Sequence, residues 1–329
     1  MDFRRSIRSS VQDIKNSKQI KRGYLLLHIK APCRARGKPI VDIAMSSNQT
    51  SSQPKSNVAT VEVQAEPAER QIHTVNWIGL KTLYLKEVRR FMKVQLQTIW
   101  APAITTLLYL IIFTVALGGV KPSVLGVPFA DFIAPGLIIM GMMQNSFANS
   151  SFSLLVGKIQ GTIVDYLMPP LSNLELLVAM VGAAVTRAIL VGFAVWLAMA
   201  FWPGVNVTPA HYGAMIWFGL MGSILLALIG VITSIWAEKF DHAAAIANFV
   251  VAPAALLSGT FYSVDKLSPV FNAISHANPF FYAISGFRYG FIGTADSPVL
   301  FGGLLLLGIN LALGVIAYAL LRSGWKLRS

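Results

Sequence analysis

The sequence predicts an all-α membrane protein of six transmembrane helices, with an N-terminal interfacial helix and an outer-leaflet re-entrant hairpin before the last span. Three observations carry this. Of the residues, 55% are hydrophobic and only 12% charged, about half the charged share of soluble domains. The charges are segregated, with eighteen of the 27 Lys and Arg inside residues 1–98. The rest of the chain breaks into apolar runs of roughly 20 residues, the length that crosses a bilayer. A chain of 329 residues cannot bury so much apolar surface in its own core, so the bilayer is its solvent. The formal charge of +13 sits on a tail and on loop ends. There it sets membrane orientation and does not argue for nucleic-acid binding. The single cysteine, Cys33, excludes an intrachain disulfide, and no Cys/His cluster has metal-site spacing.

Residues 1–75 read as a disordered basic and polar tail. Residues 1–44 hold eleven Lys and Arg against Asp2, Asp13 and Asp42, and 46–70 are rich in Ser, Gln, Asn, Pro and Glu. The apolar stretch 24–27 is too short for a signal-peptide core. Met45 opens the polar run and is the expected native start, with 1–44 upstream of it. The other reading is a basic tail against anionic lipid. Ordered structure is expected from Asn76. Trp77, Leu80, Tyr84, Val88, Phe91 and Gln95 recur at helical spacing, and Lys81, Lys86, Arg89, Arg90 and Lys93 fill much of the rest. That pattern suits a helix over 76–98 in the cytoplasmic interface; a helix of a small soluble domain is the alternative.

The transmembrane domain is expected over 99–325, with spans at 99–119, 132–155, 176–202, 212–236, 243–264 and 299–321. Residues 267–287 are uncharged enough to suggest a seventh. Ser268-Pro269, His276 and Asn278-Pro279 break that stretch repeatedly. A seventh span would also put the two basic ends on opposite faces. With six spans and both termini cytoplasmic, 23 Lys and Arg lie inside, and only Lys121, Lys266 and Arg288 outside, as the positive-inside rule demands. Residues 267–290 therefore read as a broken hairpin that enters the outer leaflet, where irregular backbone must be buried in protein or line a cavity.

Within 158–175, a short helix is expected at 159–167. Pro169-Pro170 stops it and Ser172 caps the next helix. A short helix held off the membrane by a rigid diproline suits docking on a soluble partner; a plain connector is the other reading. Asn145, Asn149 and Ser153 form a polar stripe on the second span, flanked by Ser146 and Ser150. It reads either as helix–helix hydrogen bonding or as one wall of a substrate path. Arg187 lies about 17 Å into its span, with no carboxylate at that depth. It is expected to bond helix ends or the Asn145/Asn149 stripe, or to contact an anionic substrate headgroup. Around Asn278 and Pro279, the aromatics Phe280, Phe281, Tyr282, Phe287, Tyr289 and Phe291 read as an interfacial belt or an external gate. Gly286 and Gly290 form a GxxxG pattern, and His276 reads as structural.

No GxxxxGK[ST], HExxH or GxSxG is present. Buried charges are too few for a proton relay, and no inverted repeat with paired broken helices is visible. Energy for active transport must then arrive from outside the chain. A secondary transporter or channel, not coupled to ATP, is the competing class.

Several runs together resemble ABC-2 type transporter permeases, in particular the bacterial YadH/NodJ branch. They are Phe132-Ile133-Ala134-Pro135-Gly136-Leu137; Asn145-Ser146-Phe147 with Asn149-Ser150-Ser151; Lys158-Ile159-Gln160-Gly161-Thr162-Ile163; and Leu167-Met168-Pro169-Pro170-Leu171-Ser172 with Glu175. The late Asn278-Pro279 and Gly286-Phe287-Arg288-Tyr289-Gly290 belong with them. The resemblance covers about 76–325. It implies a permease subunit, itself no enzyme, of an ATP-driven exporter in the bacterial inner membrane. The implied partners are a separate ABC ATP-binding subunit, a second permease in a homodimer, and membrane lipid. No cofactor is bound by the chain itself, ATP acting through the partner. The implied coupling helix between the second and third spans places Lys158, Gly161, Asp165, Leu167, Pro169 and Pro170 at the contact with the ATPase.

Overall fold

The computed structural model describes residues 75–117, 123–124, 126–202, 204–264 and 268–327. The basic tail with Cys33 and Met45, and the loop lysines Lys121 and Lys266, lie outside the described residues.

The chain is an all-α membrane protein. Helix α1 covers Trp77–Met92. Asn76 caps it, its side chain accepting the Gly79 N–H at 2.9 Å. A one-turn π-helix, Leu96–Trp100, leads into α2, Ala101–Leu117. A minimal antiparallel hairpin, Ser123–Val124 against Val127–Pro128, precedes α3, Phe129–Ile159. The single-turn α4 is Val164–Leu167. Helices α5, Asn173–Ala200, and α6, Tyr212–Trp236, follow. Next, α7, Phe240–Ile246, passes through a second π-helix, Ala247–Val251, into α8, Ala252–Leu257. The chain ends with α9, Pro269–Ala277, α10, Pro279–Ile292, and α11, Val299–Ser323. Both π segments lie just before a proline, Pro102 or Pro253. Each ring removes a helix donor, and the wider turn accommodates the loss.

Among the described residues, five helices are long and apolar enough to cross a membrane: Leu96–Ala116, Asn173–Ala200, Tyr212–Trp236, Phe240–Leu257 and Val299–Ser323. Outward-facing Ile104, Leu108, Phe249, Leu304 and Leu311 are exposed, as side chains facing lipid are. Helix α3 is the longest, 31 residues or about 46 Å, yet it falls below that level of apolarity. Its middle carries Gln144, Asn145, Ser146, Asn149, Ser150, Ser151 and Ser153. Most of these are buried, because α5, α6 and α10 surround the helix.

Close packing depends on glycine where backbones meet. A Cβ on Gly230 would lie 2.8 Å from the Phe147 carbonyl oxygen, and Ser146 Oγ donates to the Ser223 carbonyl at 2.7 Å, so α3 and α6 nearly touch. The GxxxG pair packs α10 onto the same helix. A Cβ on Gly286 would run into the Phe218 ring, and one on Gly290 would sit 2.7 Å from the Met215 backbone nitrogen. Small residues at such contacts are the usual membrane solution. Gly290→Ala should therefore destabilise the bundle by about 1–3 kcal/mol, seen as a lower unfolding midpoint in detergent. Gly308→Ala, in open space, should leave that midpoint unchanged.

Two sequence expectations change. The helix expected over 159–167 shrinks to Val164–Leu167, because α3 continues to Ile159 and Gly161 then turns the chain at φ 70°. On α1 the buried seam is Leu83, Glu87 and Phe91, while Trp77 is 71% exposed. Contacts set that seam: Asn76 meets Glu175 and Tyr84 meets Thr186, so α1 runs along α5.

Candidate functional site

The segment joining α3 to α5 forms an anchored projection. After Gly161, the single turn α4 exposes Val164 (52%), Leu167 (41%) and Met168 (78%), with Asp165, Pro169 and Pro170 also at the surface. Tyr166 turns inward, packing with Leu83, Leu154 and Leu177. Its hydroxyl donates to Glu87 Oε1 at 3.0 Å, and Lys86 Nζ lies 3.8 Å over its ring. Burial, and then the charge of Glu87, push the phenol above its ordinary value, so it remains a donor.

Both ends of the projection are tied down. Lys158 donates to the Ile235 carbonyl and, at 3.2 Å, to that of Ala237, capping the C-terminus of α6. Beyond the diproline, Ser172 caps α5 as expected, within a reciprocal capping box with Glu175. The Glu175 carboxylate also accepts the Asn76 N–H at 2.6 Å, and Asn76 Nδ2 donates to the Pro170 carbonyl at 3.1 Å. Coupling candidates Gly161, Asp165, Leu167, Pro169 and Pro170 thus share one exposed surface, while Lys158 fastens its base.

Glu87, which sequence reasoning missed, is the hub behind this surface. It is 1% exposed. Its Oε2 accepts from Ser153 Oγ and Arg90 Nη2, both at 2.9 Å, and its Oε1 takes Tyr166. Arg90 continues to the Asn149 carbonyl at 2.8 Å and its Oδ1 at 3.3 Å. One turn further along α3, Arg187 Nη2 donates to Asn145 Oδ1 at 2.9 Å, the partner expected for that arginine. The three polar-stripe candidates therefore divide. Asn149 and Ser153 face α1, whereas Asn145 faces Arg187 and also borders a cavity of about 640 Å³ with Gln97, Thr105, Thr106 and Gln144. The signal for Glu87 was in the sequence: it is the only acidic residue within 76–98.

In the uncharged 267–287 stretch, Asn278 separates α9 from α10 and caps α10 through the Phe280 N–H at 3.1 Å. Its Nδ2 reaches the Ala254 carbonyl and Ser258 Oγ, each at 2.8 Å. Phe280 and Phe281 are buried, Pro279 is half-buried, and the exposed His276 bonds the Asn272 carbonyl. Arg288, counted from the sequence as an outer-face charge, is 1% exposed and ion-paired with Asp296 at 2.8 Å. It also donates to the Gly259 carbonyl at 2.7 Å and lies over the Phe132 ring. Only tertiary packing brings these groups together. Asp296→Ala should cost about 3–5 kcal/mol by stranding the guanidinium, read as loss of thermal stability, and Arg288→Met should restore part of it.

Among the described residues no group of three or more His, Cys, Asp or Glu is placed to hold a metal.

The fold defines a multi-pass membrane protein. A family model described as ABC-2 type transporter matches residues 79–292. The inner membrane transport permease YadH of Escherichia coli (strain K12) is 34% identical over 253 residues, covering 77% of this chain and 98% of YadH. Nodulation protein J of Rhizobium leguminosarum bv. viciae is 24% identical over 229 residues, covering 67% of this chain and 83% of its own. The chain belongs to the ABC-2 type transporter family, in the YadH/NodJ branch, and is the membrane subunit of an ABC transporter.

Proposed function

We propose that this permease moves its substrate outward across a bacterial inner membrane, driven by a separate ATP-binding subunit that docks on residues 158–170. The observation that carries the reading is the α4 projection. Three apolar side chains, Val164, Leu167 and Met168, face away from the bundle beside two prolines, and one buried tyrosine ties them to the hub at Glu87. An exposed apolar patch on a rigid support marks a protein contact. ATP closure of the partner pushes α4, and Tyr166 and Glu87 carry the displacement to α1 and to the stripe on α3.

In this reading α3 also crosses the membrane, as the second of six spans. It tolerates its polar middle because other helices shield it. Helices α9 and α10 form the outer re-entrant hairpin, with Asn278, Pro279, Phe280 and Phe281 at the external gate. Helix α1 is the interfacial helix, residues 1–75 are a cytoplasmic tail, and both termini are cytoplasmic. Two copies assemble, and the path between them includes Asn145 and Arg187. No cofactor binds the chain; ATP acts through the partner.

Affinity purification of the full chain in mild detergent should recover a P-loop ATPase. Replacing 158–170 with a Gly/Ser linker should release that ATPase while the permease stays membrane-inserted. ATP-independent transport at an unchanged rate in the linker variant contradicts the reading.

A further inference from the structure

The polar stripe holds more positive charge and more donors than the described residues satisfy. Arg90 Nη1, Asn149 Nδ2 and Arg187 Nε are all buried without an acceptor among the described residues. Arg90 from α1 and Arg187 from α5 meet one stretch of α3, which carries Asn149. Arg90 touches Asn149 Oδ1 at 3.3 Å, and Arg187 touches Asn145 Oδ1 at 2.9 Å. Residues four apart on a helix have Cβ atoms about 5–6 Å apart, so the two guanidiniums converge on neighbouring turns. Asn149 itself is 2% exposed.

Glu87 does not balance this. One of its oxygens takes Ser153 and Arg90, and the other takes Tyr166. The cluster is left with two guanidiniums against one carboxylate. Each buried donor without a partner costs about 1–3 kcal/mol, more for a charged group. A buried cation needs a paired anion far more than a surface one does. A cavity of about 640 Å³ borders Asn145, the partner of Arg187, and the Arg90 side chain keeps 29% of its surface open.

We propose that Arg90, Asn149 and Arg187 form a binding site for a small oxyanion of the phosphate type. The site is set between α1, α3 and α5. Its three unpartnered N–H groups match the several acceptor oxygens of such a group, and its excess charge matches a monoanion. Free phosphate and a phospholipid headgroup share that chemistry. The site does not rest on ATP coupling, since the chain alone provides every ligand-binding atom.

The test uses the purified, delipidated full chain and follows its unfolding midpoint by tryptophan fluorescence. Inorganic phosphate is titrated against chloride at fixed ionic strength and pH. In wild type the midpoint should rise saturably with phosphate. Arg187→Gln and Asn149→Leu should each weaken apparent affinity about tenfold or more, while Arg187→Lys should retain part of it. If a headgroup is the physiological source, nanodiscs containing phosphatidic acid should raise the midpoint over pure phosphatidylcholine, and free phosphate should compete. No phosphate-dependent rise in wild type would mean that water alone satisfies these donors and would overturn the site. An equal rise in wild type and in both affinity variants would place phosphate elsewhere, and overturn it too. Because no ATPase is present, failure here leaves the transport reading standing, and failure of ATPase recovery leaves this site standing.

Discussion

Met168→Asp, combined with Leu167→Asp, is expected to abolish ATP-driven transport while the protein remains folded and inserted. Met168 is 78% exposed and Leu167 is 41% exposed; neither belongs to the packed cluster around Tyr166. Charges at these positions cost the isolated permease little. In a docked complex they would be buried without partners, a penalty of several kcal/mol. Central apolar anchors of an interface commonly contribute 2 kcal/mol or more each, so the double change should weaken ATPase binding at least about 100-fold. Co-purification from membranes reads the binding, and the unfolding midpoint reads the fold. The same substitutions at Ile104 and Leu108, exposed on α2, should instead impair membrane insertion, because charges there face lipid.

Glu87→Leu is expected to have the largest effect on stability of any single change on α1. It leaves Arg90 without its carboxylate, and Ser153 and Tyr166 without their acceptor. Breaking a buried pair from one side costs about 3–5 kcal/mol, enough to remove much of the margin of a folded protein. The unfolding midpoint in detergent and the steady-state amount in membranes should both fall. Glu87→Gln keeps an acceptor for Tyr166 and should fall in between. A coupled readout separates support from mere packing: in Glu87→Gln, ATPase binding should persist while ATP-driven transport drops, because the partner's push no longer reaches α3 intact.

How much of this was legible depended on where the determining groups lie. The spans expected at 176–202, 212–236 and 299–321 match α5, α6 and α11 closely, because hydropathy is a local property. The break at Asn278-Pro279 was equally legible, since proline excludes continuation of the preceding helix. The Ser172 cap and the Arg187–Asn145 contact followed from residue chemistry and from counting depth along a helix. Helix α3 shows the opposite case. Its polar middle lowers its hydropathy, and only the surrounding helices make that tolerable. The partners of Glu87 and Arg288 were illegible for a related reason. Each owes its role to partners on other elements, Tyr166 and Ser153 for one, Gly259 and Phe132 for the other. The sequence displays the charge but not the cavity that receives it.

The most direct measurement places one thiol on the α4 projection. In a Cys33→Ser background, Met168→Cys is treated with a membrane-impermeant maleimide in intact cells and in inside-out vesicles. The coupling role predicts labelling in the vesicles alone, and protection there once the ATP-binding subunit is bound. Labelling from outside intact cells would place α4 on the face opposite the nucleotide and contradict the coupling role.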